Sequence, residues 1–454
     1  MQAATHTQRH TSRPRVARRR VAASRGAGPL PYRAGIDGLR AVAVLAIVFA
    51  NSSAATMSAS HVGVEIFFVL TGFMLTALLL AERQQLGYVP VARIWAGRVR
   101  RAAPVLLTVI GGASIFVLAA RPDELYRLGP DVRAALTGMS NWRLILLSAA
   151  PAGTAQAPLG HLWSVAVGAQ FVVLWPLAFA LLSRAGGDRR VRASGREPAG
   201  GDYRRVRTIA VILAVAAAIA TPLVALLGDA SRALYGSDTR ASGLLLGASV
   251  ALALPPSAWH QRAAGARARR LRFFGLIVLA LLLTGLVAMA TQPRWVTQGG
   301  LFLVAILTAV LIAAVVRSAE LDRLVGAAPL RWMGRRSYAM YLWHWPVLTV
   351  VGGPVALTDA RAVSLYLAAS MTLAGATHRF VEAPLRRTQQ GGSGSRPARP
   401  GVAVSATAVA CGVATVAALL TGQGRPADAP SVITDVLGSS SERTSPAATP
   451  PARR

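Results

Sequence analysis

Residues 62–81 read VGVEIFFVLTGFMLTALLLA, a run of twenty residues in which Glu65 is the single charged side chain. An α-helix needs roughly 20 mostly apolar residues to cross the hydrocarbon core of a bilayer. The whole 454-residue chain has the same character, with 53% apolar residues, 15% charged residues and a mean hydropathy of +0.46. Soluble domains contain about 25% charged residues, so the composition disfavours a soluble enzyme and favours a polytopic membrane protein.

Eleven such runs occur along the chain, and together they predict an all-α polytopic integral membrane protein. The predicted spans are 39–56, 62–81, 102–120, 162–182, 207–227, 241–254, 273–291, 299–316, 337–352, 362–380 and 401–421. The sixth and the ninth are short for a span.

The arginines predict the orientation of these spans. All 49 basic residues are Arg, and the net charge is +31. Alternate connecting segments, starting with the N-terminal one, carry 34 Arg, whereas the segments between them carry 12. Because Arg-rich segments stay in the cytoplasm, the N-terminus is expected inside and the C-terminus outside. Nucleic-acid binding needs clustered charge beside a soluble core, so nucleic acid is not an expected partner, whereas the lipid bilayer is.

Composition divides the chain into five predicted segments. They are a disordered basic cytoplasmic tail (1–34), the main transmembrane domain (35–387), a Gly- and Ser-rich linker (388–400), an eleventh transmembrane helix (401–421) and a disordered extracytoplasmic tail (422–454). The single cysteine, Cys411, excludes an intramolecular disulfide framework.

Polar residues inside spans are costly, so each is a candidate functional residue. Read in order, they fall into seven blocks. The blocks are YRAGIDGLRA (32–41), HVGVEIFFVLTGF (61–73), RVRRAAP (98–104), HLWSVAV with QF and LWP (161–176), SDTRA (237–241), GRRSYAMYLWHWP (334–346) and RFVEAPLRR (379–387).

This series resembles the acyltransferase-3 family of integral-membrane O-acyltransferases, which modify surface polysaccharides, lipids and antibiotics. The resemblance covers residues 32–387 and implies a ten-helix bundle. The eleventh span is similar to that of a bacterial subgroup in which an extra helix carries an SGNH-type hydrolase domain. The Gly-Asp-Ser nucleophile block of that domain does not occur in this sequence.

The resemblance implies transfer of an acyl group, usually acetyl, from cytoplasmic acyl-CoA to a hydroxyl of an envelope glycan, lipid or similar acceptor across the bacterial plasma membrane. The phosphates of the donor need fixed cations, and Arg40, Arg98, Arg100 and Arg101 are the candidates, because guanidinium groups bind phosphate in a bidentate manner. The acceptor hydroxyl needs a general base, most often His.

At the expected catalytic positions the sequence departs from the family pattern. The family has a His eleven residues after the Arg of span one, and here that position is Asn51. An amide cannot accept the hydroxyl proton. The two Glu that follow the HLWS block are replaced by Gly168 and Ala169, and Glu65 stands where the family usually has Asp.

Two histidines could replace the missing base. His161 is predicted at the outer end of span four and His344 about eight residues into span nine. Glu65 could orient either ring, and Trp163 and Ser164 complete the candidate catalytic set. The structural alternatives are a packing role for His344 and an interfacial helix-end role for His161.

Asp238 and Arg240 are the candidate acceptor-binding residues at the predicted outer end of span six. They are expected to pair with each other, either to bind the acceptor or as a structural ion pair. For the three arginines of span three, the alternative role is to stop translocation. No metal ion is expected.

Two other classes of function fit the residues. A non-catalytic pseudoenzyme could bind acyl-CoA or the acceptor and regulate a catalytic paralogue. A transporter is also compatible with many spans and buried Arg, although inverted repeats or paired broken helices, which would support it, are not evident in the sequence.

Overall fold

The computed structural model describes residues 30–53, 55–120, 125–148, 159–194, 203–351 and 359–385. In these residues the regular structure is entirely helical, which confirms the predicted all-α polytopic fold. The α-helices are α1 (Ala34–Asn51), α2 (Ser60–Leu86), α3 (Val91–Ala120), α4 (Leu125–Thr137), α5 (Ser140–Ser148), α6 (Trp163–Ser194), α7 (Arg204–Leu226), α8 (Ala230–Tyr235), α9 (Ser237–Ala253), α10 (Gly265–Thr291), α11 (Gly300–Arg317), α12 (Ala319–Val325), α13 (Ala328–Gly334), α14 (Ser337–Val350) and α15 (Ala360–Thr377).

Each of the first ten predicted spans overlaps one of these helices. By length and composition, seven helices are able to cross a membrane: α1, α2, α3, α6, α7, α10 and α11. The other three, α9, α14 and α15, are shorter or more polar. The eleventh predicted span and both predicted tails lie outside the described residues, apart from residues 30–34.

Helix α2 packs against α9 at the centre of the bundle, with backbone against backbone. A Cβ atom added to Gly72 would lie 1.8 Å from the carbonyl oxygen of Leu244, and one added to Gly247 would lie 2.0 Å from that of Val69. In lipid, helices associate by close packing rather than by the hydrophobic effect, and small residues permit it. These glycines therefore bring the side chains of α2 and α9 into direct contact.

Helix α1 is fixed at both ends. At its start, the backbone N–H of Gly35 donates to the carboxylate of Asp322 at 2.8 Å, which satisfies one of the free amides of the first turn. The helix ends at Asn51, five residues before the predicted end of the span. The hydroxyls of Ser52 and Thr56 donate to carbonyl oxygens of the last turn, at 2.7 and 2.9 Å. Asn51 is thus the last residue of the helix rather than a residue inside it.

The turn before α6 is held by a buried carboxylate. Asp131 of α4 accepts from the backbone N–H of Leu159 at 3.1 Å and from Nε of Arg143 at 2.7 Å. Burial raises the pKa of Asp131, and these two donors oppose the increase. A 3₁₀ turn, Gly160–Leu162, follows and leads directly into α6, so Asp131 fixes the backbone immediately before His161.

Candidate active site

The structure brings the two candidate histidines together. His161 lies in the turn before α6 and His344 lies in the middle of α14, and their ring centroids are 5.5 Å apart with the planes at 85°. Both side chains are buried. Trp345 stacks on His161 at 5.9 Å between centroids and meets His344 edge-on at 6.3 Å, so both rings have aromatic surroundings.

Asn51 contacts His344 directly. Its Nδ2 atom is 3.2 Å from Nε2 of His344, while Nδ1 of the same ring contacts the carbonyl oxygen of Tyr341. A carbonyl oxygen can only accept, so Nδ1 carries the hydrogen and Nε2 of the neutral ring is the acceptor. The amide of Asn51 therefore donates to the basic nitrogen of His344 and occupies it.

His161 differs from His344 in its hydrogen bonding. The backbone of Leu342 lies near the ring, but neither ring nitrogen makes a hydrogen bond of good geometry, although the residue is only 5% exposed. Leaving a buried polar atom unpaired costs about 1–3 kcal/mol. A hydroxyl group brought to this ring would satisfy it, which makes His161 the histidine with an available proton acceptor.

A chain of hydroxyl groups joins α6 to α14 beside the histidines. The hydroxyl of Tyr341 donates to the backbone carbonyl of His161, and the Oγ atom of Ser164 is 2.7 Å from the same hydroxyl. Because Tyr341 has one proton and gives it to the carbonyl, Ser164 must be the donor in the second bond. Neither hydroxyl is therefore free to act as a nucleophile in this arrangement.

Tyr341 was not among the candidates from the sequence. It lies three residues before His344, and residues at this spacing share one face of a helix. That spacing is the signal that could have identified it.

Glu65 pairs with Arg240, which corrects two expectations. Oε2 of Glu65 is 2.9 Å from Nη2 of Arg240, and both side chains are buried. Glu65 therefore does not orient a histidine, because the buried guanidinium requires a counter-charge and holds it. The predicted pair between Asp238 and Arg240 is also wrong. Asp238 and Arg240 are two residues apart on a helix and therefore do not face each other. Asp238 instead binds Arg232 at 2.9 Å on the exposed surface.

Trp163 lies against the buried ion pair rather than against the histidines. The guanidinium carbon of Arg240 is 5.6 Å from the Trp163 ring and 5.5 Å from that of Phe68. Tyr235 meets Trp163 edge-on at 5.1 Å, and burial raises the pKa of its phenol. The consecutive residues Trp163 and Ser164 thus connect two groups of polar side chains, one charged and one neutral.

The positions of the missing carboxylates are open. No atom lies within 4 Å of a Cβ built on Gly168, apart from its own helix and neighbours. Gly168 is half-buried and Ala169 is exposed. The substitution to small residues therefore leaves space on α6 that nothing in the described residues fills.

Arginines gather at the other end of α1. Arg40 and Arg101 both lie close enough to Arg98 for their positive charges to repel. Arg98 and Arg101 are three residues apart and share a face of α3, whereas Arg100 lies on a different face; Arg100 and Arg101 are both exposed. Arg40 also contacts Asp37 at 3.3 Å. Eleven residues separate Arg40 from Asn51, which is roughly 16 Å along a helix.

Within the described part of the chain, no group of three or more His, Cys, Asp or Glu side chains could hold a metal ion.

Long apolar helices that surround buried polar side chains define a multi-pass membrane protein. The chain belongs to the acyltransferase-3 family, because the family model described as "Acyltransferase domain" matches residues 33–379. The resemblance predicted from the seven blocks is thereby confirmed.

The chain is similar to several curated O-acetyltransferases. It is 31% identical over 364 residues to the peptidoglycan O-acetyltransferase OatA of Listeria monocytogenes, covering 78% of this chain and 56% of that protein. It is 29% identical over 360 residues to the O-acetyltransferase OatA of Staphylococcus aureus, covering 78% and 57%. This chain therefore matches a little over half the length of these relatives. No solved structure matches it.

Proposed function

We propose that this protein is a membrane O-acetyltransferase that transfers an acetyl group from acetyl-CoA to a hydroxyl group of an envelope glycan. Family membership and the names of its relatives, one of them a peptidoglycan O-acetyltransferase, support this class of reaction. The single observation that carries the proposal is His161, a buried ring with two unpartnered nitrogens beside His344. Peptidoglycan is the first acceptor to test.

The donor would bind with its phosphates at the arginine end of α1. The side chains of Arg40 and Arg101 repel that of Arg98, and a phosphate group bound between them would relieve this repulsion. The thioester would then reach along α1 towards Asn51. This geometry fits a donor that enters from the cytoplasm and an acceptor that arrives from the other side.

His161 would act as the general base. It would take the proton of the acceptor hydroxyl while the oxygen attacks the thioester carbonyl. The tetrahedral intermediate would collapse by breaking the carbon–sulfur bond, and the proton would pass to the leaving thiolate, giving the O-acetyl product and free CoA. Asn51 has a second amide hydrogen besides the one directed at His344, and this hydrogen could stabilise the oxyanion.

A second candidate function is a non-catalytic acyl-CoA or acceptor binder. One observation favours it: the amide of Asn51 occupies Nε2 of His344, at the position where the family pattern has a histidine. Such a protein would bind acetyl-CoA without transferring the acetyl group, and it would act as a regulator of a catalytic paralogue. The transporter alternative receives no support from the relatives, which are named as transferases.

One experiment separates the two candidates. The full chain in lipid nanodiscs is incubated with radiolabelled acetyl-CoA and soluble peptidoglycan fragments, and acetylated fragments are counted. His161→Gln is compared with the wild type, and so is the double variant Asn51→His with Gly168→Glu, which restores the family pattern in the open space of α6.

The outcomes differ for each candidate. Turnover in the wild type that His161→Gln abolishes supports the enzyme. No turnover in the wild type, together with turnover in the double variant, supports a dormant site. Acetyl-CoA binding without turnover in either protein supports the binder.

The proposed location, a bacterial plasma membrane with a cytoplasmic N-terminus and an extracytoplasmic C-terminus, is tested by reporter fusions to each end.

A further inference from the structure

A buried ion pair lies against Trp163, two residues after His161 in the chain. Glu65 of α2 is 0% exposed and Arg240 of α9 is 2% exposed, and Oε2 and Nη2 are 2.9 Å apart. Buried ion pairs are weak contributors to stability, because desolvation of the charges offsets their attraction. Stability alone therefore does not account for this pair.

The surrounding backbone is adapted to the pair. A Cβ atom on Gly243, one turn after Arg240 on α9, would lie 2.1 Å from Oε1 of Glu65. Only a glycine at this position leaves room for the carboxylate. The ion pair is thus held between two helices whose contact surface is shaped around it.

The guanidinium of Arg240 in turn supports aromatic side chains of the adjacent elements. Its carbon lies 5.5 Å from the ring of Phe68 and 5.6 Å from that of Trp163, within the range of cation–π contacts. Trp163 is the first residue of α6, and His161 and Ser164 flank it closely in the chain. Arg240 is therefore linked to the histidine turn through a single side chain.

We propose that Glu65 and Arg240 are a positioning pair for His161. Glu65 fixes the guanidinium, the guanidinium fixes Trp163, and Trp163 fixes the turn that presents His161 to His344 and Ser164 to Tyr341. The effect of the pair on turnover rests on the proposed acetyltransferase function. Its effect on the surroundings of His161 does not, and can be measured on an inactive protein.

The test uses a variant without net charge change. Glu65→Gln or Arg240→Gln alone would leave one uncompensated charge in the bundle, and either could prevent folding. The double variant Glu65→Gln with Arg240→Gln removes both charges, keeps the shape of the side chain at position 65 and shortens the one at position 240 by two heavy atoms. The matched control is Arg272→Gln with Glu320→Gln, which neutralises an ion pair whose side chains are 46% and 50% exposed.

The first readout is the reactivity of His161 towards diethyl pyrocarbonate, mapped by mass spectrometry on the full chain in nanodiscs. The exposed His260 serves as the internal reference. The wild type and the control should protect His161, and the double variant should expose it to modification severalfold faster, because the turn is no longer held. Equal rates in all three proteins would overturn the proposal, whether or not the protein is an enzyme.

The second readout is the division between kcat and KM. In an active protein, the double variant should lose about tenfold or more in kcat, while KM for acetyl-CoA changes less than about twofold, because only the base is misplaced. An unchanged kcat would contradict the positioning role. If the wild type shows no turnover but His161 becomes reactive in the double variant, the positioning pair stands and the acetyltransferase proposal fails.

Discussion

The two ends of helix α1 differ in their charge. At the end that carries Arg40, the guanidinium groups of Arg40 and Arg101 repel that of Arg98, so an anion bound there would relieve the repulsion. At the end that carries Asn51, the side chains are neutral and most are hydrogen-bonded, but His161 has two unpartnered nitrogens. The first end is suited to a multivalent anion, and the second to one hydroxyl group. A substitution at Asn51 can therefore change the chemistry without changing donor binding.

The strongest test of this division is His161→Gln. If His161 is the base, kcat for acetyl transfer should fall about 10² to 10⁴-fold, whereas the Kd for acetyl-CoA should stay within about twofold, since the donor end is roughly 16 Å away along α1. Steady-state kinetics and equilibrium binding with labelled acetyl-CoA measure the two quantities.

His260→Gln, at an exposed position outside the bundle core, is the control and should behave as the wild type. The opposite result for the two histidines would change the assignment of the general base. If His344→Gln abolishes turnover and His161→Gln does not, the base is His344, and Asn51 must turn away from its Nε2 atom during the reaction.

The donor end is tested by Arg98→Gln. Loss of one charge-assisted hydrogen bond costs about 1.5–3 kcal/mol, so the Kd for acetyl-CoA should rise about 10- to 100-fold. Arg100→Gln is the matched comparison, because this residue lies on a different face of the same helix and should change Kd much less. Equal effects of the two substitutions would show that the arginines attract the donor by net charge and do not form a defined site.

The sequence predicts the helices of this fold better than their ends. Runs of apolar residues locate the spans, but α3 begins at Val91, eleven residues before the predicted start of span three. Hydropathy omits this part because it contains Arg93 and Arg98, which a helix at the membrane boundary tolerates. Span one ends early for another reason: the hydroxyls of Ser52 and Thr56 compete for backbone carbonyls.

The sequence likewise predicts the residues of the candidate site better than the contacts between them. The motif blocks identify the family and the residues His161 and His344, but not the contact between them, which joins positions far apart in the chain. The partner of Glu65 is likewise a product of the α2–α9 packing. Helix geometry alone argues against the predicted pair of Asp238 and Arg240, since two residues at this spacing on a helix point in different directions.

Gly243→Ala tests the connection between the Glu65–Arg240 pair and the neutral site around His161. The added Cβ would lie 2.1 Å from Oε1 of Glu65 and should displace the carboxylate, lowering kcat about tenfold and stability by about 1–3 kcal/mol. Glu65→Asp shortens the side chain by one methylene group and should restore most of both losses in the double variant. Activity and thermal unfolding of the two single variants and the double variant measure this. Additive losses would contradict the assigned contact.

The smallest expected effect concerns Gly168, on the neutral side of the site. A Cβ at this position meets open space, and Ala is favoured over Gly inside a helix by about 0.8–1 kcal/mol. Gly168→Ala should therefore raise the thermal unfolding midpoint slightly, the opposite of Gly243→Ala, without changing Kd for acetyl-CoA. A lower midpoint would mean that a neighbour fills this space. In that case restoring a glutamate there would fail for steric reasons, and an inactive Gly168→Glu variant would say nothing about a dormant site.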